Sequence, residues 1–145
     1  MSLEMFLRFD LVAEALGSAF GTWKRQTAAA ASAGRPLSYA ELIDDYLNES
    51  HRDNPGTGCA VTALAGEIAR SDKRTRALAS EEIRNNIDLI ARLLRGKDKD
   101  GGRSKPILIY SALVGAMALA RAVSDEALSA EILTTVAELL KSSAS

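Results

Sequence analysis

The chain has 145 residues, of which 47% are apolar and 26% charged, with a net charge of −1 and a single cysteine. One domain of this length buries a core without staples, and a lone cysteine excludes an internal disulfide and a cysteine-based zinc site. With a pI of about 5.9 and no basic stripe, the chain lacks the footprint of a free-standing nucleic-acid binder.

The abundance of Ala and Leu, with three prolines and 5% aromatics, points to an all-α fold. Taken in chain order, Glu4, Arg8, Asp10 and Glu14 interrupt the first apolar run, unlike a signal peptide. Residues 1–9 read as a tag, or as the remnant of a link to another domain. Met5 to Ser32 reads as one long helix, with Val12, Leu16, Ala19, Phe20 and Trp23 at helical spacing. Gly17 and Gly21 within it mark either a close helix contact or a local weakness, and Gly34-Arg35-Pro36 stops it.

Ser38 and Glu41 form a capping box, with Leu37 and Leu42 at the two positions of a hydrophobic staple. The helix they start ends near Ser50, and His51 to Gly58 reads as a loop around Asn54-Pro55-Gly56. "GCAVTALAGEIAR" follows, with Val61, Leu64, Ala65 and Ile68 as one face of an amphipathic helix. Ala63, Ala65 and Gly66 are small enough to let a neighbour approach.

Ser71-Asp72 caps the next helix, which runs to about Arg95 on a stripe of Ile83, Ile87, Ile90 and Leu94. Ser80 ahead of Glu81 and Glu82 marks a second start or a kink, and Gly96 suits the C′ position. The charged "KDKDGGRSK", residues 97–105, reads as a mobile loop. Pro106 then fits the first position of "PILIYSALVGAMALARAV". That helix is apolar on nearly every side, so one face packs on the core and another on a partner. Its uncharged run is too short for a comfortable membrane span. Ser129 can cap the last helix, whose stripe is Ile132, Leu133, Val136, Leu139 and Leu140. The count is about six helices.

Candidate chemistry is sparse. Cys59 stands at a helix N-terminus, where the dipole favours thiolate, and His51 is the only histidine to serve it as a base. A small buried residue at a helix start is the better reading of Cys59. Asp44, Asp45 and Glu49 near His51 fall on the polar face of their helix, so no metal site is expected. Phosphate-loop, HExxH, GxSxG and dinucleotide motifs are all missing, and neither an enzyme nor a cofactor is expected. Phe20, Trp23, Tyr46, Tyr110 and Met117 have the size to line an apolar cavity, or to fill a plain core.

Two stretches, "GCAVTALAGEIARSDKRTRAL" and "SALVGAMALARAVSDEALSAEIL", resemble the effector-binding domain of the tetracycline-repressor (TetR) family of transcriptional regulators. "DLVAEAL" from Asp10 is similar to the start of that family's long helix after the DNA-binding region. The family's frequent proline after Gly-Cys is Ala60 here, and its N-terminal helix-turn-helix has no counterpart in residues 1–9.

The resemblance implies a single all-α regulatory domain that forms a homodimer through a four-helix bundle of the last two helices. Ala112, Gly115, Ala116 and Leu119 would meet Ile132, Val136 and Leu140 there, across a two-fold axis. A small, largely apolar effector would bind against Phe20, Trp23, Leu64, Ile87, Tyr110 and Met117. DNA would be held only through the absent helix-turn-helix, with half-sites one helical turn apart. The expected setting is cytoplasmic and away from membranes. A helical dimerisation module with no ligand is the alternative reading.

Overall fold

The computed structural model describes residues 2–19, 21–94 and 102–143, with the backbone alone at positions 6, 9, 15, 18, 19 and 57. Among the described residues there are eight α-helices, one 3-10 turn (Pro55–Thr57) and no strand. The helices are α1 (Leu3–Ala19), α2 (Thr22–Ser32), α3 (Tyr39–Tyr46), α4 (Glu49–Asp53), α5 (Ala60–Ala69), α6 (Lys73–Leu93), α7 (Ser104–Ala122) and α8 (Glu126–Ser142). The all-α expectation holds, with more helices than the periodicity counts.

Two long predicted helices are each split. Gly21 takes a left-handed conformation, φ 83°, and separates α1 from α2; only glycine adopts this at little cost. The local weakness is therefore the reading of Gly21 that the fold realises. Asn48 divides the second segment. Its side-chain amide donates to the carbonyls of Asp44 and Asp45 at 2.9 and 2.8 Å, ending α3. Its side-chain oxygen accepts the His51 amide at 2.8 Å, starting α4.

The capping box is present, with the Glu41 amide donating to Ser38 Oγ and the Ser38 amide to Glu41 Oε2, both at 3.1 Å. Asp72 caps α6, taking the Thr75 amide at 2.8 Å. That helix runs through Ser80 without a second start, because Ser80 Oγ donates to the Arg76 carbonyl one turn back at 2.8 Å. Gly96 and most of the 97–105 segment lie outside the described residues, while Ser104 and Lys105 are helical. Pro106 occupies the third position of α7 rather than the first, where it still sacrifices no intrahelical bond. Asp125, not Ser129, caps α8, accepting the Ala127 and Leu128 amides at 2.9 and 3.2 Å. Ser129 lies past the N-cap position, inside the first turn, and its hydroxyl is committed to the Ala120 carbonyl.

α7 and α8 form an antiparallel hairpin, fastened at both ends. Ser129 Oγ donates to the Ala120 carbonyl at 2.7 Å near the turn. Lys105 Nζ donates to the Ser143 carbonyl at 2.7 Å at the open end. α3 packs on α8 and is pinned by the Tyr39 hydroxyl, which donates to the Leu140 carbonyl at 2.8 Å. Burial pushes the Tyr39 hydroxyl up to about 12, so it remains a donor at neutral pH.

α7 is long and apolar enough to cross a membrane by length and composition alone. Here it is the central core helix, with Ile109, Leu113, Ala116, Met117 and Ala120 buried between α5, α6 and α8. A smaller cluster of Leu16, Ala60, Ile68 and Ala79 fastens α1 to α5 and α6. Ala63, Ala65 and Gly66 of α5 are exposed, and no other residue stands within 4 Å of where a Gly66 Cβ would be. Among the described residues none packs closely on Gly66.

Candidate functional site

A cavity of about 260 Å³ is walled by α2, α3, the start of α5 and the middle of α6. The local sequence explains its shape. The left-handed turn at Gly21 redirects the chain so that Trp23 overhangs Tyr46 and Tyr110. The indole meets both rings edge-on, at centroid separations of 5.5 and 6.0 Å. Such pairs stabilise by about 0.5–1.5 kcal/mol beyond area burial.

Beneath Trp23 lies a buried polar cluster. The Tyr46 and Thr62 hydroxyls are hydrogen-bonded, and Asn86 Nδ2 donates to the Tyr110 hydroxyl at 3.3 Å. Burial first, and the adjoining Cys59 second, hold both tyrosine hydroxyls well above their ordinary range. They stay neutral hydrogen-bonding groups.

His51 forms one side of the cavity. Its Nδ1 donates to the Tyr46 carbonyl at 2.7 Å, and its Nε2 accepts the Cys59 amide at 3.0 Å. These two roles require the neutral tautomer protonated on Nδ1. Burial accordingly lowers the His51 pKa from 6.5. The ring is a brace between the end of α3 and the start of α5. With both nitrogens committed to backbone, it has no lone pair to offer the Cys59 thiol. Gly58 makes room for it, since a Cβ there would overlap the imidazole. Arg121 completes the brace from α7, donating to the His51 and Arg52 carbonyls at 2.7 and 3.1 Å.

The sequence-predicted ligand contacts separate into three groups. Trp23 lines the cavity, and Tyr110 packs against Trp23 at its base. Ile87 and Met117 are buried in the main core, and Leu64 packs against the α1 cluster, none of them among the cavity's lining. Phe20 lies outside the described residues. The lining also contains Asp45, Glu82 and Asn86, which were not singled out as ligand contacts. A signal existed: Glu82 and Asn86 stand one helical turn apart, flanking the stripe of Ile83, Ile87 and Ile90. Glu82 Oε1 accepts the Gly21 amide at 3.2 Å, tying the α1–α2 break to the cavity wall.

The predicted interface residues also divide. Lys105, on its way to Ser143, marks the edge of α7 beside α8. Helical spacing places Ala112, Leu119, Leu108 and Gly115 along that edge. On α8, Lys141 pairs with Asp44 of α3 at 2.7 Å, and Leu128, Ile132, Val136 and Leu139 lie on the opposite edge. Leu108, Leu119 and Leu139 are 67, 58 and 64% exposed. Ala116 and Leu140 instead turn inward and are buried in their own chain. They occupy the core side of each helix, so they correct the predicted face by a fraction of a turn.

Among the described residues no group of three or more His, Cys, Asp or Glu is placed to hold a metal ion. Comparison with known proteins finds no matching family model, no similar curated protein and no similar solved structure.

Proposed function

We propose that this chain is the ligand-sensing and dimerisation domain of a TetR-like transcriptional regulator. The observation that carries the reading is the cavity whose wall reaches, through Glu82, to the break between α1 and α2. A ligand in that cavity would act on a group that also binds the backbone at the end of α1. In a regulator of this kind α1 leads to the DNA-binding heads, so its orientation sets their separation. Coupling of this sort is worth roughly 1–3 kcal/mol and is reciprocal between ligand and DNA.

The exposed leucines along one side of the α7–α8 hairpin support the dimer half of the proposal. Monomeric soluble proteins rarely leave a contiguous apolar patch of large size uncovered, and a two-fold axis would cover it with its own copy. Light scattering tests this directly: the expected particle mass is twice the 15.4 kDa of the chain. A monomer at micromolar concentration would remove the dimer. A helical dimerisation module without a ligand would give the same mass but no binding in the cavity.

A further inference from the structure

We propose that the cavity takes a small amine in its ammonium form, with its apolar body against Trp23 and Tyr46 and its charge on Glu82. The inference rests on the ligand-sensing reading above and narrows the effector from merely apolar to cationic. Three observations lead to it.

The first is a census of charge. Among the described lining residues, Asp45 and Glu82 are the only carboxylates and none is Lys or Arg. His51 contributes no charge, because both ring nitrogens are bound to backbone in the neutral form. Lys24 and Arg92 line a separate cleft on the far side of Glu82. Neither of the two forms a salt bridge with Glu82 or Asp45.

The second is the cost of filling the cavity. An anion would meet two carboxylates and no compensating cation. A neutral apolar ligand would displace water from Glu82 and leave the half-buried carboxylate with the Gly21 amide as its hydrogen-bond donor, a partial compensation for the lost hydration. An ammonium group offsets the remainder, because a charge-assisted hydrogen bond replaces the lost water.

The third is shape. A cavity of about 260 Å³ lies just below the usual range for small-molecule sites, so the ligand is small. Trp23 and Tyr46 supply aromatic surface, and Trp is the most favourable ring beside a cation. Glu82 already holds the Gly21 amide with Oε1. An ammonium drawing on the same carboxylate competes with that bond and loosens the α1–α2 break.

The test uses phenethylamine, its neutral isostere phenethyl alcohol and the anion hydrocinnamate. Binding is read by calorimetry and by the fluorescence of Trp23, the only tryptophan. Phenethylamine is expected to bind at least about tenfold more tightly than the alcohol, as a charge-assisted contact requires. Glu82→Gln should erase that difference, since glutamine carries no charge yet can still accept the Gly21 amide. Equal affinities for amine and alcohol, or amine binding indifferent to Glu82→Gln, would overturn the ligand class and leave a sensing cavity standing. Binding of none of the three overturns the sensing reading itself, and this inference with it. Circular dichroism of Glu82→Gln separates loss of recognition from loss of fold. If that variant unfolds, the wild-type ranking of the three probes decides alone.

Discussion

At the scale of single residues, His51 and Gly58 explain each other. The imidazole closes the gap between α3 and α5 with two backbone hydrogen bonds, and it fits only because Gly58 has no side chain. Gly58→Ala forces the ring out and forfeits both bonds, each worth about 0.5–1.5 kcal/mol. Urea denaturation should show a loss of about 2 kcal/mol from those two bonds; an unchanged midpoint would remove His51 as a brace. The same contacts predict a pH dependence. Because burial lowers the folded pKa of His51 below 6.5, the unfolded chain takes up the proton first as pH falls. This contribution to stability is therefore complete at neutral pH and declines below about pH 6.5. His51→Gln should flatten the decline between about pH 7 and pH 5.5. A variant with the wild-type slope would assign the titration to another group.

Helix boundaries show where local propensity and tertiary demand part. The Ser38–Glu41 capping box is legible because all its partners lie within four residues of one another. Ser129 reads equally well as a cap, yet it is buried in the first turn of α8. There it donates to the Ala120 carbonyl and accepts from Arg52 Nη1 at 3.1 Å. That role depends on α4 reaching the α7–α8 turn, which no local pattern announces. Asp125→Ala should cost about 1 kcal/mol, the usual value of an N-cap. Ser129→Ala should cost about 1–3 kcal/mol, because it strands buried partners. The two are compared by thermal or urea unfolding, and a neutral Ser129→Ala would mean that the hairpin turn holds without it.

For the molecule as a whole, the proposed dimer turns on which side of α7 faces outward. Gly115 lies on the α8-side edge, and a Cβ there would meet nothing within 4 Å. Glutamate at this position is therefore compatible with the isolated chain while placing a charge in an apolar interface, where desolvation opposes burial. Gly115→Glu is expected to halve the particle mass in light scattering with helix content retained. A variant still at twice the monomer mass would move the interface elsewhere.

By itself the sequence determined the helical class, most of the apolar stripes and the two caps built from neighbouring residues. Those features depend on 3.6-residue periodicity and on hydrogen bonds that close within one turn. It also marked Gly17 and Gly21 as either a close contact or a weak point, and His51 and Cys59 as neighbours of interest. Only the tertiary structure decided that Gly21 breaks the first helix, that His51 is committed to backbone, and that Glu82 rather than Met117 or Leu64 borders the cavity. Each of those outcomes is set by a partner distant in the chain: Glu82 lies 61 residues from Gly21, and Arg121 lies 70 from His51. Periodicity tells which side of a helix is buried, but not what fills the space it faces.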